Sequence, residues 1–332
     1  MKTYPKRKDQ LFPSILAATV AMTIGCSEQK FGLAPESQEF GNKIAYNTEV
    51  DVLWVIDTSS SMDKHQSLLA QQVGLFVDSL NTTGLNYQIA VTTMDMSASG
   101  AKGKFLGSPA VLKASTPNLT SVLSSRLQVG ATGSPVERGL EAMKASVSAP
   151  LATTGTNVGF LRPNALLAVI FLSNEDDQSV SEDYAAFLDS VRPPLPSGDR
   201  SWVAQFMGVT PDDLTCKTSE WDAAGYSEVG TKYIALAAAS GGNSEAICDA
   251  DLRRALTNVK SRILEILTEY KLARTPNLAT LEIYINGVKI PQDATNGWTY
   301  LASSNSIRFH GTAVPRSDAS ILVKYDPTGT KE

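Results

Sequence analysis

The chain has 332 residues, of which 42% are hydrophobic, and this is enough material for one large globular domain and one small one. Its net charge of −5, with no run of Lys and Arg beyond the extreme N-terminus, argues against nucleic-acid binding. The two histidines, His65 and His310, leave almost no material for a histidine metal site or for a Ser-His or Cys-His nucleophile, so we expect no enzyme.

Residues 1–25 are predicted to be an export signal, because basic residues precede an apolar run that is too short to span a bilayer comfortably. The run ends in TIGC at residues 23–26, which resembles the lipobox of bacterial lipoproteins, and the resemblance implies that Cys26 is acylated. An ordinary signal peptide with an incidental cysteine is the alternative. Under the lipobox interpretation, Ser27 indicates by analogy an exported protein anchored through its lipid to the outer membrane of a Gram-negative bacterium.

Residues 26–46 are polar, contain scattered Gly and Pro and show no lasting period, so we expect a tether there. Between residues 47 and 272 the pattern predicts strands that alternate with helices, which indicates an α/β domain with a doubly wound, mainly parallel sheet. The predicted strands are 51–56, 87–94, 165–173 and 202–209, with a short antiparallel edge strand at 103–107. The predicted helices are 62–81, 116–128, 136–147, 181–192 and 249–272.

The pattern changes after about residue 275. Residues 275–332 alternate apolar and polar side chains, with an Asn-Gly pair at 286–287 and other turn formers between the runs. This predicts four or five short strands and no helix. We expect a small all-β module, or else strands that pack against the main domain.

Cys216 and Cys248 remain as a pair once Cys26 is set aside as the lipid carrier. An even pair in an exported chain usually forms a disulfide, and we predict this bond. Closing a loop of about 30 residues would stabilise the fold by about 3 kcal/mol in the chain-entropy model. Two buried thiols are the alternative.

Two predicted strands end in bursts of polar side chains. The strand at 51–56 runs into DTSSS at 57–61, and the strand at 165–173 runs into NEDD at 174–177. In doubly wound sheets the ligand crevice lies beyond the carboxyl ends of the central strands, and oxygen ligands are those that Mg²⁺ prefers. The pattern therefore predicts a magnesium site, although such runs also serve as helix N-caps and solvated turns.

Asp57, Ser59 and Ser61 form an Asp-x-Ser-x-Ser pattern between a hydrophobic strand and an amphipathic helix. This pattern resembles the metal-ion-dependent adhesion site of von Willebrand factor type A (VWA) domains, and the resemblance covers about residues 48–270 in the order of the elements. It implies that the two serines bind the metal directly, whereas the aspartate acts through water and hydrogen bonds.

The resemblance also implies a threonine from a loop before a later helix and an aspartate at the end of the next central strand. The spacing to that helix selects Ser134 for the first position, which we favour slightly, whereas residue type selects Thr132. Asn174 stands where the aspartate is expected, and Asp176 would compensate if the loop turns back. An Asn removes a negative charge, which weakens cation binding but leaves the cation more attractive to a partner's carboxylate.

The function that the resemblance implies is adhesion or ligand capture. A Mg²⁺ ion, with Mn²⁺ or Ca²⁺ as alternatives, would keep one coordination position for an Asp or Glu of a protein partner at the cell surface or in the envelope. The alternative is a structural or scaffold lipoprotein whose degenerate site works without metal. An enzyme would need the acidic residues at 175–177 to hold a catalytic metal, and no further constellation in the sequence supports this.

Overall fold

The computed structural model describes residues 35–40, 49–82, 85–194, 200–213, 216, 228–249, 251–315 and 319–328. The predicted export signal and the predicted acylation site at Cys26 lie outside the described residues. Among the residues that the structure does describe, no helix is both long and apolar enough to cross a membrane.

Strands and helices alternate along the first part of the chain, whereas the described elements of the last part are strands and a short 3-10 helix at Gly311–Ala313. The described strands are β1 (Glu36–Phe40), β2 (Glu49–Ile56), β3 (Asn86–Thr93), β4 (Leu112–Lys113), β5 (Leu166–Ser173), β6 (Trp202–Gly208), β7 (Ser244–Ala246), β8 (Glu269–Lys271), β9 (Glu282–Ile285), β10 (Val288–Ile290), β11 (Trp298–Leu301), β12 (Ser306–Phe309) and β13 (Ile321–Tyr325). The described α-helices are α1 (Asp63–Thr82), α2 (Leu119–Leu127), α3 (Gly139–Ser146), α4 (Tyr184–Val191), α5 (Thr231–Ala239) and α6 (Arg253–Thr268).

The main sheet has six strands in the order β4-β3-β2-β5-β6-β7. All neighbouring strands run parallel except β3 and β4. Strand β2 lies between β3 and β5, so that Val52 pairs with Ile89 on one side and with Ala168 on the other. The predicted α/β fold with a mainly parallel sheet is therefore confirmed.

Helices cover both faces of this sheet, and the side chains of β2 show why. Val52, Trp54 and Ile56 pack into a core with α1, α2 and α6, whereas Leu53 and Val55 pack into a second core with α3, α4 and α5. Because successive strand residues point to opposite faces, a strand buried on both sides must be apolar throughout. The result is a rigid central strand that positions the polar residues that follow it.

The antiparallel edge strand lies at Leu112–Lys113, so its prediction at 103–107 is wrong. Gly103 and Gly107 have φ of +80° and +76°, and such left-handed positions interrupt an extended backbone. Among the described residues, one backbone hydrogen bond joins this segment to the sheet, from the amide of Leu106 to the carbonyl of Val91 at 2.9 Å. The turn conformation therefore outweighs the strand pattern here.

Two further differences come from tertiary contacts. Helix α5 was not predicted, and it is held by Tyr233, whose ring stacks on Phe206 at 5.1 Å and contacts Phe171 at 4.9 Å between centroids. The predicted helix at 249–272 ends at Thr268, because the next three residues form β8 and pair with β12. Long-range packing and strand pairing thus override the local pattern.

The C-terminal strands form two small antiparallel sheets, in the orders β1-β13-β9-β10 and β11-β12-β8. They share a core that includes Ile283, Trp298, Ile307 and Val323, and the predicted β-rich C-terminal region is confirmed. Strand β1 falls inside the segment predicted to be a tether and pairs with β13 along its whole length.

The predicted disulfide between Cys216 and Cys248 is present in the structure. Both residues are buried. The bond joins the segment that follows β6 to the segment that follows β7, at the edge of the main sheet, where the amide of Ile247 also donates to the carbonyl of Gly208. It therefore ties down the last strand of the sheet.

Candidate metal centre

Three neutral oxygens meet beyond the carboxyl ends of β2 and β5. The hydroxyl of Ser59 lies 3.1 Å from that of Ser61, and the hydroxyl of Ser61 donates to Oδ1 of Asn174 at 3.2 Å. Ser59 and Asn174 are buried, whereas Ser60 beside them is exposed. We call Ser59, Ser61 and Asn174 the oxygen cluster; it unites two polar bursts that are more than a hundred residues apart in the chain.

Asp57 positions this cluster through hydrogen bonds to the residues that carry it and lie next to it. Its Oδ1 accepts a hydrogen bond from the amide of Ser59 and its Oδ2 accepts one from the hydroxyl of Ser173, both at 2.7 Å. Burial raises the pKa of Asp57, and these hydrogen bonds offset part of that effect. With both oxygens engaged, Asp57 fixes the path of the chain into the oxygen cluster.

Gln66 of α1 holds the neighbouring loop in place. Its side-chain amide nitrogen donates to the carbonyls of Asp57 and Gly130 at 2.8 and 2.9 Å, and its oxygen accepts from the amide of Gly130 at 3.1 Å. Gly130 has φ of +91°, a conformation that glycine adopts at little cost. One buried side chain thus joins the end of β2 to the loop that carries Thr132 and Ser134.

The loop then passes closely over the start of the DTSSS run. The amide of Gly133 donates to the carbonyl of Thr58 at 2.9 Å, and a Cβ at Gly133 would lie 2.0 Å from the Thr58 hydroxyl, so only glycine fits. The amide of Ser134 donates to Oδ2 of Asp95 at 3.2 Å. Ser134 is half-buried at this point, whereas Thr132 is exposed.

Replacing Gln66 with Ala is expected to lower the free energy of unfolding by about 1–3 kcal/mol, because three hydrogen bonds are lost and their backbone partners stay behind. Denaturant unfolding measures this change, and hydrogen exchange at the amide of Gly130 should become faster. The exposed Gln71 of the same helix is the matched control. Equal effects of the Gln66→Ala and Gln71→Ala substitutions would contradict the assigned role.

Asp176 lies apart from the oxygen cluster. Its Oδ1 accepts hydrogen bonds from the amides of Asp177 and Lys232, both at 2.9 Å, so it caps the start of α5. Asp177 likewise accepts from the amide of Leu140 at 3.0 Å and caps α3. Burial raises the pKa of Asp177. Of the residues in the NEDD run, Asn174 is the one that the structure joins to the two serines.

Glu137 was not predicted as a site residue, yet it lies beside Asp57. It is fully buried, and among the described residues no hydrogen-bond donor reaches either of its carboxylate oxygens. Burial and the nearby charges of Asp57, Glu175 and Asp95 raise the pKa of Glu137 to about 10. Two adjacent carboxylates form a hydrogen bond only if they share a proton, so the group lacks a positive partner.

The sequence contains only a weak signal for Glu137. In VERGL, Glu137 falls in the first turn of the helix predicted at 136–147, where an acid is typical because it interacts favourably with the helix dipole. The structure begins α3 at Gly139 and leaves Glu137 outside the helix, where its carbonyl accepts from the amide of Gln178 at 2.6 Å. This backbone contact with the loop after β5 holds Glu137 inside the fold.

The donors at this site suit a hard divalent cation. They are hydroxyl, amide and carboxylate oxygens, which Mg²⁺, Mn²⁺ and Ca²⁺ prefer over softer ligands. A buried carboxylate without a donor is the kind of group that a cation would satisfy. The one trio of His, Cys, Asp or Glu side chains that lies close together among the described residues is elsewhere, at Asp213, Cys216 and Cys248, and it offers no thiolate for a metal because its two cysteines form a disulfide.

No family model matches the chain, and no curated protein matches it significantly. Among solved structures, the chain is similar to proximal thread matrix protein 1 from the mussel byssus, with 13% sequence identity, a TM-score of 0.42 and coverage of 69% of this chain and 50% of that chain. The chain therefore spans about half the length of that protein.

Two bacterial surface proteins are also similar. The pilus adhesin SpaC from Lactobacillus rhamnosus GG has 13% identity and a TM-score of 0.39, with 83% of this chain and 39% of that chain covered. A variant of the PilB minor pilin from Streptococcus sanguinis has 10% identity and a TM-score of 0.36, with coverage of 65% and 61%. The functional argument therefore depends on the site itself.

Proposed function

We propose that the protein is a VWA-type adhesion or ligand-binding protein of the cell envelope. It binds a divalent cation beyond the ends of β2 and β5 and uses that ion to hold a carboxylate of a protein partner. The observation that carries the proposal is the meeting of Ser59, Ser61 and Asn174 within contacts of 3.1 and 3.2 Å. Three oxygens from two distant parts of the chain converge where ligands bind in sheets of this kind.

These contacts support Ser59 and Ser61 as hydroxyl ligands and Asn174 as an amide-oxygen ligand, with Asp57 acting through its hydrogen bonds to Ser59 and Ser173. Ser134 would add a third hydroxyl from the loop that crosses the DTSSS run, and this residue enters on the spacing of the family pattern alone. Mg²⁺ is the first choice, with Mn²⁺ and Ca²⁺ as alternatives. The ion would supply positive charge to an Asp or Glu of the partner.

The exposure of the rim favours a protein partner over a small enclosed substrate. Ser60 and Thr132 flank the oxygen cluster and are exposed, so one side of the site is open. Neutral oxygens leave much of the charge of a cation uncompensated, and an ion in such a setting attracts a carboxylate strongly. The disulfide supports an exported location, because such bonds persist in oxidising compartments. A lipid at Cys26 would hold the protein at the outer membrane.

Calorimetric titration of the full chain with Mg²⁺ or Mn²⁺ tests the cation. We expect the wild type to bind, and we expect Asp57→Ala to bind at least about tenfold more weakly, because residues that orient ligands typically contribute that much. Asp63→Ala is the matched control, since Asp63 is an exposed acid six residues further along. An equal affinity of wild type and Asp57→Ala would refute the site.

The partner's carboxylate needs a separate measurement. In the presence of the Mn²⁺-loaded chain, NMR signals of a short peptide with one Glu should broaden, and those of the matched Gln peptide should not. A chelator should abolish the broadening. If the wild type binds no cation, the result would instead support a scaffold protein that works without metal. The presence of Asn174 in place of the aspartate of the family pattern favours this alternative.

A further inference from the structure

The acidic residues around the oxygen cluster differ in the hydrogen bonds that their carboxylate oxygens accept. Asp57 accepts from Ser59 and Ser173, and Asp95 accepts from the amides of Ser97 and Ser134 at 2.8 and 3.2 Å. Asp176 accepts from backbone amides at the start of α5. Glu137 is the exception among these residues, because both of its oxygens are buried and no described donor reaches them.

Ionising a buried carboxyl group that has no positive partner is costly, since the charged form loses its hydration and gains nothing in return, and burial is accordingly the main cause of the raised pKa of Glu137. Folded proteins therefore pair such groups with a cation, a hydrogen-bond donor or a metal ion. Arginine and lysine are the usual cations. Two nearby basic residues are engaged with other groups, since Arg138 pairs with Glu141 and the Lys232 ammonium donates to the carbonyl of Asp177 at 2.5 Å.

The oxygen cluster has the complementary need. A divalent cation held by serine hydroxyls and by the neutral amide of Asn174 would receive little negative charge from them. The carboxyl group of Glu137 lies next to that of Asp57, and Asp57 accepts from the amide of Ser59 at 2.7 Å, so Glu137 adjoins the oxygen cluster through Asp57. Glu137 therefore lacks a positive partner, and a cation at the oxygen cluster would lack a negatively charged ligand.

We infer that Glu137 is a carboxylate ligand of the divalent cation at this site and supplies the negative charge that Asn174 lacks. This inference rests on the proposed function, because it requires a cation at the oxygen cluster. It adds a ligand from the segment between the loop at 130–134 and α3. The cation would then join three separate parts of the chain: the end of β2, the end of β5 and the start of α3.

Calorimetry with Mg²⁺ and Mn²⁺ on the full chain tests this role through Glu137→Gln, which keeps the shape and removes the charge. We expect at least about a tenfold loss of affinity. Asp176→Asn is the matched control, because it removes the same charge from the cap of α5, and we expect less than about a twofold change. If Glu137→Gln binds the cation as tightly as the wild type, the inference is wrong.

Thermal melting separates a ligand from a structural residue. Since a ligand of the folded state raises its stability, Mn²⁺ should raise the melting temperature of the wild type but not that of Glu137→Gln. In chelator, Glu137→Gln should melt at or above the wild type, because the buried acid is gone. A lower melting temperature of the variant in chelator would mean that Glu137 is structural, paired with Asp57 through a shared proton.

A second substitution covers the case in which Glu137→Gln does not fold. Glu137→Asp keeps the charge but shortens the side chain, so it should bind the cation more weakly than the wild type, and unchanged affinity would contradict the inference. The failure of the proposed function looks different: the wild type itself would then bind no cation. Binding by the wild type that is lost in Asp57→Ala but kept in Glu137→Gln would overturn the inference alone.

Discussion

Replacing Asp51 with Ala is expected to lower the free energy of unfolding by about 3–5 kcal/mol, the usual cost of removing one partner from a buried ion pair. Asp51 is fully buried at the start of β2. Its Oδ1 accepts from Nε of Arg162 at 2.7 Å, and its Oδ2 accepts from Nη2 of Arg192 at 2.9 Å and from the amide of Arg162 at 2.8 Å. One carboxylate therefore compensates two guanidinium groups.

The loss should be large because the arginines cannot leave. Arg192 is buried, and it also donates to the carbonyl of Arg162. Arg162 donates to the carbonyls of Val50 and Asn86. Without Asp51, these charges would stay inside the protein without their carboxylate.

Denaturant unfolding at neutral pH measures the change, with Glu49→Ala as the matched control. Glu49 contacts the same Arg162 at 3.2 Å, but its side chain is 30% exposed. Exposed ion pairs contribute at most about 1 kcal/mol, so Glu49→Ala should have a small effect. A loss below about 1 kcal/mol for Asp51→Ala would show that the buried network contributes little.

Removing the disulfide is the second large effect that we expect. The double substitution Cys216→Ala and Cys248→Ala should lower the free energy of unfolding by about 3–4 kcal/mol, because the bond closes a loop with a sequence separation of 32 residues and so restricts the unfolded chain. Unfolding in non-reducing buffer measures this difference. The last strand of the main sheet should become the least stable, since the bond joins the segments after β6 and β7.

Reduction supplies the control for this prediction. A reductant should destabilise the wild type by a similar amount and should leave the double variant unchanged. If the wild type unfolds at the same denaturant concentration with and without reductant, the disulfide does not stabilise the fold.

Much of the architecture could be predicted from local pattern. The alternation of strands and helices from residue 47 onward, the apolar run of β2 and the turn at Asn286-Gly287 all follow from residue types that act over a few neighbours. The pairing of Cys216 with Cys248 followed from the number of cysteines, because only these two remain once Cys26 is assigned to the lipid. The edge strand, α5 and β8 could not be predicted in this way, because glycine conformation, ring packing and strand pairing outweighed the local signal at those points.

Strand β2 illustrates the limit for the site. It contains a buried aspartate near its start, Asp51, and is followed directly by another, Asp57. Nothing in the residue type separates them. The first meets two arginines at the amino end of the sheet, whereas the second meets serines at the carboxyl end, and the difference arises from segments more than a hundred residues away.

The sequence by itself therefore determined the fold class, the disulfide and the two oxygen-rich bursts, because each depends on residue type and short spacing. Only the tertiary structure decided which oxygens meet. It joined Asn174 to Ser59 and Ser61, turned Asp176 toward α5 and buried Glu137 beside Asp57. The physical reason is that a side chain's direction in a loop is set by hydrogen bonds to distant backbone, such as those of Gln66 and Lys232.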